Sequence, residues 1–335
     1  MTPGQLLRRA VVVPVVLAVE VTLVATSPVL LPLAALGSVA SRRRLPLRTA
    51  ALVVAYALIE LRALGELAGL HRHGRARDQE AAYALARRFL DRLARAVDRT
   101  LGVRVELATG SATGDDVRAA TPLVVLSRHA GPGDSFLLAW LLLSQWRVRP
   151  RIVLRTAMRL EPGVELVLSR LPSCFVRPGA GRRTKAAITD AAAGMGTGDA
   201  MLLFPEGGNF TEERRRVRIA RLLHRRTFAR ARQARRMRHV LAPYPGGALA
   251  ALAGAPDADV LVIAHSGLGG GSGERRWWSL PVDRDLVVHA RLVPRSEIPA
   301  SPADLERWLY AQWRLVDDWV DRWVRTEAQS FSSGA

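Results

Sequence analysis

The segment Pro122–Trp146, PLVVLSRHAGPGDSFLLAWLLLSQW, decides the fold class of this chain. Its first part, Pro122–Ser127, is an apolar run with the length of a buried strand. A short polar stretch with Gly and Pro follows, which is typical of a tight connection. The apolar stretch that begins at Asp134 has the length of a helix. A strand that leads directly into a helix is the unit from which parallel sheets are built.

The same alternation continues along the chain. Strands are predicted at Val103–Ala108, Pro122–Ser127, Arg151–Leu154, Cys174–Arg177, Ala200–Phe204, Val260–His265 and Leu286–Val293. Helices are predicted at Gln79–Leu101, Asp134–Trp146, Arg182–Ala193, Glu212–Met237 and Pro302–Arg325. The pattern predicts an α/β protein with a mostly parallel central sheet flanked by helices.

Composition limits the classes of protein. The 335 residues include 49 Lys and Arg against 30 Asp and Glu, which gives a net charge of +19. A surface this basic attracts phosphate groups, whether of nucleic acid, anionic lipid or nucleotide-like thioesters. The single cysteine, Cys174, excludes an internal disulfide framework and a zinc site built from several cysteines.

The N-terminal segment predicts membrane attachment. Between Ala10 and Ala40 the only charged residue is Glu20. As one helix this stretch would reach about 46 Å, which exceeds a hydrocarbon core of about 30 Å. Three prolines argue against one straight helix, and both flanks are basic. We therefore expect an apolar, re-entrant helical hairpin with both ends on the cytoplasmic face.

A second apolar run, Thr49–Ile59, is too short to span a bilayer and is predicted to be an interfacial amphipathic helix. Two alternatives to membrane attachment remain open. Ser38-Val39-Ala40 has the character of a signal-peptidase site, and the apolar stretch could instead be a buried core helix.

The pattern HxxxxD occurs twice. His129 follows a predicted strand, at the edge where open α/β sheets place their sites, and Asp134 can fold back onto its ring. A carboxylate on one ring nitrogen fixes the tautomer and leaves the other nitrogen to take a proton from a hydroxyl. The alternative is that Asp134 merely caps a helix. The second match, His73 and Asp78, lies in a charged linker and is expected to be accidental.

Two further stretches could bind an anion. FPEGGNFTEE, at 204–213, ends a strand with Glu206, Gly207 and Gly208, whose backbone can approach a ligand closely. SCFVRPG, at 173–179, places Arg177 at a predicted strand end. The alternatives are a tight turn with a capping acid and one more surface arginine.

In this order the three motifs resemble those of the glycerolipid acyltransferases, in particular 1-acyl-sn-glycerol-3-phosphate acyltransferases and their lysocardiolipin acyltransferase-like relatives. A proline-bearing apolar strand follows in that family, and Leu241–Pro245 corresponds to it. The resemblance implies direct acyl transfer to a lysophospholipid hydroxyl from acyl-CoA or an acyl carrier protein. His129 would be the general base and Asp134 would orient it. No cofactor, metal or covalent enzyme intermediate is implied.

The resemblance assigns four residues to the acceptor's phosphate region. They are Arg177, Glu206, Gly207 and Gly208. The chain departs from the family at Gly208-Asn209, where the family has Thr-Arg. Arg183 or Arg214–Arg216 could supply the missing cation. Two alternatives stay open, which are transfer to another lysolipid or lipid head group and a catalytically silent basic membrane-adaptor protein.

The stretch Arg214–Arg238 contains 12 arginines with apolar residues between them. It is predicted to lie at an anionic membrane surface, with a simply solvated helix as the alternative. Nucleic acid is not expected as a partner, because aromatic residues are few there.

We predict a membrane segment and linker at residues 1–75, a catalytic domain at 76–325 on the cytoplasmic face of the cell membrane, and a disordered tail at 326–335.

Overall fold

A computed structural model shows the fold of the chain. It describes residues 3–75, 77–131, 133–156, 170–176, 181–267 and 282–333. The chain divides into two compact units. The first, called the helical unit, comprises residues 1–104, 154–175 and 282–284, and the second, called the sheet unit, comprises 105–153, 176–281 and 285–335. The limits of these units differ from the predicted domain boundaries. The predicted boundaries remain a prediction.

The helical unit is built from three long helices, α1 (Pro3–Ala40), α2 (Leu45–Arg72) and α3 (Gln79–Leu101). Helix α2 packs against both of the others. Glu66 of α2 forms ion pairs of 2.8 and 2.7 Å with two arginines of α3, Arg88 and Arg92. The boundaries predicted for α3 are confirmed.

The prediction of a re-entrant hairpin within Ala10–Ala40 was wrong. Helix α1 runs unbroken through Pro14, Pro28 and Pro32. A proline removes the hydrogen bond to the carbonyl four residues earlier. For Pro28 that carbonyl belongs to Val24, and it accepts a bond of 2.7 Å from the Ser27 hydroxyl instead. Side-chain hydroxyls of this kind let an apolar helix tolerate proline.

The hairpin is instead formed by α1 and α2 together. The run Thr49–Ile59 is not a separate interfacial helix, since it lies within α2, and Val54, Ala57 and Ile59 are buried there. The stretch Pro14–Ala40 is long and apolar enough to cross a membrane, and only 6% of its most apolar part is buried in the protein. Apolar surface on this scale marks a site of membrane or protein interaction.

Seven strands form one sheet in the order β1-β7-β6-β2-β5-β3-β4. They are β1 (Arg104–Leu107), β2 (Leu123–Ser127), β3 (Arg149–Arg155), β4 (Cys174–Val176), β5 (Asp199–Leu203), β6 (Asp259–His265) and β7 (Asp285–Val293). Strand β2 pairs in parallel with β5 and β6, and β3 pairs in parallel with β5, whereas β7 is antiparallel to β6. The predicted fold class is confirmed, and all seven predicted strands are present.

Seven further helices belong to the described part of the sheet unit. They are α4 (Gly114–Ala119), α5 (Asp134–Trp140), α6 (Gly181–Ala193), α7 (Glu212–His224), α8 (Phe228–Arg236), α9 (Pro245–Gly254) and α10 (Pro302–Ser333). A π-helical turn, Leu141–Gln145, follows α5.

Three sequence-based predictions in this unit need correction. The helix predicted at Glu212–Met237 is two helices, because the chain turns at Arg226, whose φ is +55°. Residues 241–244 form no strand, and Pro245, which lacks an amide hydrogen, begins α9. The predicted disordered tail continues α10 as helix to Ser333.

Candidate active site

The site lies where the carboxyl ends of three neighbouring strands meet. Strands β6, β2 and β5 are adjacent and parallel, so that their ends reach the same edge of the sheet. His129 follows β2, Glu206 follows β5, and His265 is the last residue of β6. Open α/β sheets bind ligands outside this edge.

The structure brings His129 and Asp134 together. Their Nδ1 and Oδ2 atoms are 3.2 Å apart. The same carboxylate oxygen accepts the backbone amides of Ala130 and Gly131 at 2.5 and 2.7 Å. Asp134 does not cap α5, whose N-cap is Gly133, but lies in its first turn. The loop therefore folds around the carboxylate, and the carboxylate holds the Nδ1 edge of the ring.

The two side chains differ in their access to solvent. Asp134 is fully buried, whereas the His129 side chain keeps 15% of its surface exposed. The ring of His129 stacks on Phe204, with centroids 4.3 Å apart and planes inclined by 27°. Because Nδ1 faces Asp134, Nε2 is the nitrogen left to receive a proton from a hydroxyl group.

Asp134 is held as a carboxylate despite its burial. Burial alone would raise its pKa, but the imidazoles of His265 and His129 and the amide of Gly131 outweigh that effect and lower the pKa below its ordinary value. An ionised partner stabilises the imidazolium that forms when His129 takes up a proton.

Glu206 lies beside the pair, but inside the protein. Its side chain is fully buried, and its two oxygens accept the amides of His129 and Leu241 at 2.9 and 2.8 Å. In this geometry Glu206 holds the backbone of His129 instead of facing a ligand. Burial raises the pKa of Glu206 to about 7, against the opposing effects of the Leu241 amide and the Arg128 charge.

The glycines after Glu206 have different surroundings. Gly207 is exposed with φ of +67°, and a Cβ atom there would lie 3.1 Å from the Tyr244 ring. Its amide donates to the Phe204 carbonyl at 2.9 Å, so that this amide closes a turn and is not turned toward an anion. Gly208 is buried. Arg177 lies outside the described residues.

Arg218 of α7 is a buried residue of the site that the sequence did not reveal. Its guanidinium donates to the Glu206 carbonyl at 2.8 Å and to the carbonyl of Ala242. It also lies 3.6 Å from the centre of the Tyr244 ring, a cation–π contact. Nothing in the sequence distinguishes it from its many arginine neighbours.

His265 and Arg128 were also missed as site residues. Both are buried, and the Nε2 atom of His265 lies 3.9 Å from the Asp134 carboxylate. Burial lowers the pKa of His265 to about 4, with the charge of Arg128 adding to the effect. Its place at the end of a predicted strand was a signal, but the sequence does not tell which strands are neighbours.

The second HxxxxD match forms no pair. The Nδ1 atom of His73 lies 2.8 Å from the Gly69 carbonyl, while Asp78 caps α3 and binds Arg75.

Within the described residues, no cluster of three or more His, Cys, Asp and Glu side chains could hold a metal ion. Cys174 is buried. The expectation of a reaction without metal or cofactor stays a prediction.

Comparison with known proteins identifies the class. Residues 111–255 match a family model described as Acyltransferase. These residues therefore form an acyltransferase domain, which confirms the resemblance seen in the motifs of the chain. The chain is also similar to the crystal structure of the 1-acyl-sn-glycerophosphate (LPA) acyltransferase PlsC from Thermotoga maritima, with a TM-score of 0.48, 15% identity, and coverage of 81% of this chain and 94% of that chain. No curated protein matches this chain in sequence.

Replacing Glu206 by glutamine is expected to flatten the pH dependence of stability. Burial raises the pKa of Glu206 from 4.5 to about 7, so the folded protein binds this proton more tightly than the unfolded chain does. The free energy of unfolding should then fall as the pH rises from 4.5 to about 7, by up to about 1.4 kcal/mol per pH unit. Glu206→Gln should lack this slope in thermal unfolding followed by circular dichroism.

Glu212→Gln is the matched control for that measurement, because Glu212 is a half-exposed carboxylate on α7. It should keep the pH dependence of the wild type. Parallel curves for the wild type and Glu206→Gln would contradict the assignment.

Proposed function

We propose that this acyltransferase moves a fatty acyl group from a thioester donor, acyl-CoA or acyl carrier protein, to the free hydroxyl of a lysophospholipid, with 1-acyl-sn-glycerol-3-phosphate as the first candidate acceptor. The contact of 3.2 Å between His129 and a buried carboxylate carries the proposal. This pair is the arrangement that general-base removal of a hydroxyl proton requires.

The proposed reaction needs two proton transfers. Nε2 of His129 takes the proton of the acceptor hydroxyl as its oxygen attacks the thioester carbonyl, and Asp134 stabilises the imidazolium. The tetrahedral intermediate then collapses, the carbon–sulfur bond breaks, and the leaving thiolate takes the proton from His129. The products are the acylated acceptor and a free thiol, and the ring is neutral again.

The choice of the acceptor's head group depends on the turn after Glu206, where this chain has Gly208-Asn209 and the resembling family has Thr-Arg. Arg214 donates to the Asn209 carbonyl at 3.0 Å, which brings a guanidinium to the backbone of that position. This contact supports an anionic head group. The departure itself favours, as a second candidate, a lysolipid with a different head group.

We further propose that the protein lies at the cell membrane, with the site on the cytoplasmic face. The apolar surface of α1 supports attachment, since many of its side chains are exposed. They include Val11, Val15, Val19, Val21, Val29, Leu33, Leu36 and Val39. A membrane-bound site can receive an amphipathic acceptor from lipid and a thioester donor from water.

A basic face on α7 and α8 supports contact with an anionic bilayer. This basic face consists of nine exposed arginines of the two helices and of the residues that join and follow them, namely Arg214, Arg216, Arg221, Arg225, Arg226, Arg232, Arg235, Arg236 and Arg238. Glu213 is the one exposed acid between Thr211 and Arg238, a stretch described throughout. Phe228, 63% exposed, adds an apolar side chain that can enter the lipid surface.

His129→Ala is expected to lower acyl transfer about 10²–10⁴-fold, because general-base catalysis has that value. The assay follows labelled acyl-CoA into lipid product. His73→Ala, which removes the histidine of the second HxxxxD match, is the control and should keep wild-type activity. Equal activity of the two variants would refute the assignment of the base.

A panel of lysolipids with labelled acyl-CoA, read out by product mass, tests the acceptor class. We expect acylated product from lysophosphatidic acid or another anionic lysolipid. A wild-type protein that acylates none of them would favour the adaptor alternative, whatever the state of His129.

The basic face is expected to make activity depend on anionic lipid. The change replaces three exposed arginines of α8, Arg232, Arg235 and Arg236, by glutamine. Each arginine near an anionic surface contributes about 1 kcal/mol. The gain in activity from phosphatidylglycerol in neutral vesicles should therefore shrink, while activity on a monomeric short-chain lysolipid should not change.

Three exposed arginines of α10, Arg314, Arg322 and Arg325, provide the control for the loss of charge. Their replacement by glutamine should preserve the response to phosphatidylglycerol. If both triple variants respond alike, net charge alone explains the effect and the basic face is not a docking surface.

A further inference from the structure

We propose that His265 is a positioning residue for the reaction. Together with Glu206 it clamps the peptide unit between Arg128 and His129, and this clamp sets the contact of His129 with Asp134. The inference rests on the proposed role of His129 as the base.

The clamp grips both polar groups of one peptide unit. Its carbonyl, that of Arg128, faces Nε2 of His265 at 3.2 Å and also accepts the hydroxyl of Ser127 at 3.1 Å. Its amide, that of His129, donates to the Glu206 carboxyl at 2.9 Å. The next carbonyl, that of His129, accepts the Phe210 amide at 2.7 Å. Both peptide units that flank the base are therefore fixed.

The contact also determines the tautomer of His265. A carbonyl oxygen only accepts hydrogen bonds, so Nε2 must carry the proton, and Nδ1 is unprotonated in the neutral ring. Burial, with the charge of Arg128 adding to its effect, lowers the pKa of His265 to about 4, although the Asp134 carboxylate and the Arg128 carbonyl oppose this change. His265 is thus an uncharged donor at neutral pH.

The side chain of Arg128 in turn contacts the backbone of His265. Its Nη1 donates to the His265 carbonyl at 2.5 Å, while its Nη2 donates to the His239 carbonyl at 3.1 Å. Each of the two residues therefore donates from its side chain to the other's backbone carbonyl. This exchange ties the end of β6 to the end of β2, directly before the base.

His265 also acts on Asp134 through space. Its Nε2 is 3.9 Å from Oδ2, too far for a hydrogen bond but near enough for its N–H dipole to favour the carboxylate. The chain after β6 stays close to the loop. Gly267, with φ of +92°, passes so near that a Cβ atom there would lie 2.7 Å from the Cβ of Ala130. Movement of this strand end would therefore displace the HxxxxD loop.

The test compares two replacements of His265 in the full-length protein. His265→Leu removes the donor, whereas the amide of His265→Gln can donate from near the Nε2 position. The leucine variant should lose about 10- to 100-fold in kcat, with KM within about threefold, because small misplacements of a catalytic group have costs of that size. The glutamine variant should stay within about threefold of the wild type.

Two further readouts separate positioning from simple stabilisation. In the leucine variant the acid limb of the rate profile should move to lower pH, because a weaker Asp134 contact stabilises the imidazolium less. The downfield proton resonance of the His129 Nδ1–H, bonded to Asp134, should also be lost in ¹⁵N-histidine-labelled protein. This signal needs no substrate, so it tests the clamp even if no lysolipid is a substrate.

His289→Leu is the matched control, since His289 is a partly buried histidine on the neighbouring strand β7 that stacks on Trp319. It should leave kcat, the acid limb and the resonance unchanged. A His265→Leu variant that loses thermal stability but keeps all three properties would overturn the proposal. If the leucine variant does not fold, His265→Asn replaces it in the test, because the asparagine side chain is polar but too short to reach the Arg128 carbonyl. An asparagine variant that behaves like the wild type would refute the clamp.

Discussion

The site depends on one buried carboxyl group, that of Glu206, which accepts the amides of His129 and Leu241. These amides belong to loops that are far apart in the sequence, and the carboxyl group that accepts them is fully buried. A buried amide without an acceptor costs about 1–3 kcal/mol, so the carboxyl group both satisfies the two loops and fixes their separation. His129 can face Asp134 because its own backbone is held in this way.

Burial gives the surrounding charges their separate roles. Arg128 and Arg218 direct their guanidinium groups to backbone carbonyls, and Arg128 also provides positive charge near Glu206. His265 stays neutral because burial lowers its pKa, and the charge of Arg128 adds to this effect. Asp134 keeps its negative charge because the imidazoles of His265 and His129, together with two loop amides, outweigh the effect of its burial. The outcome is one carboxylate opposite one partly exposed ring, which is what removal of a hydroxyl proton requires.

The N-terminal helices show where local rules mislead. Three prolines predicted a break, yet α1 is continuous. At Pro28 the lost hydrogen bond is replaced, because the Ser27 hydroxyl donates to the freed Val24 carbonyl. The arginine-rich stretch gave the opposite error. Its composition predicted one helix, whereas the chain turns at Arg226 so that α7 and α8 can each bury one face. In both cases the structure depends on side-chain contacts that the hydrophobic periodicity of the sequence does not reveal.

The sequence by itself determined the seven strands, the α/β class and the close approach of His129 and Asp134, because each depends on residues near one another along the chain. Strand ends, apolar runs and a loop of four residues are local features. Only the tertiary structure decided that β6 and β5 flank β2, and with this order that His265 and Glu206 meet at the peptide before His129. Strand order is set by packing among distant segments, so no stretch of sequence records it.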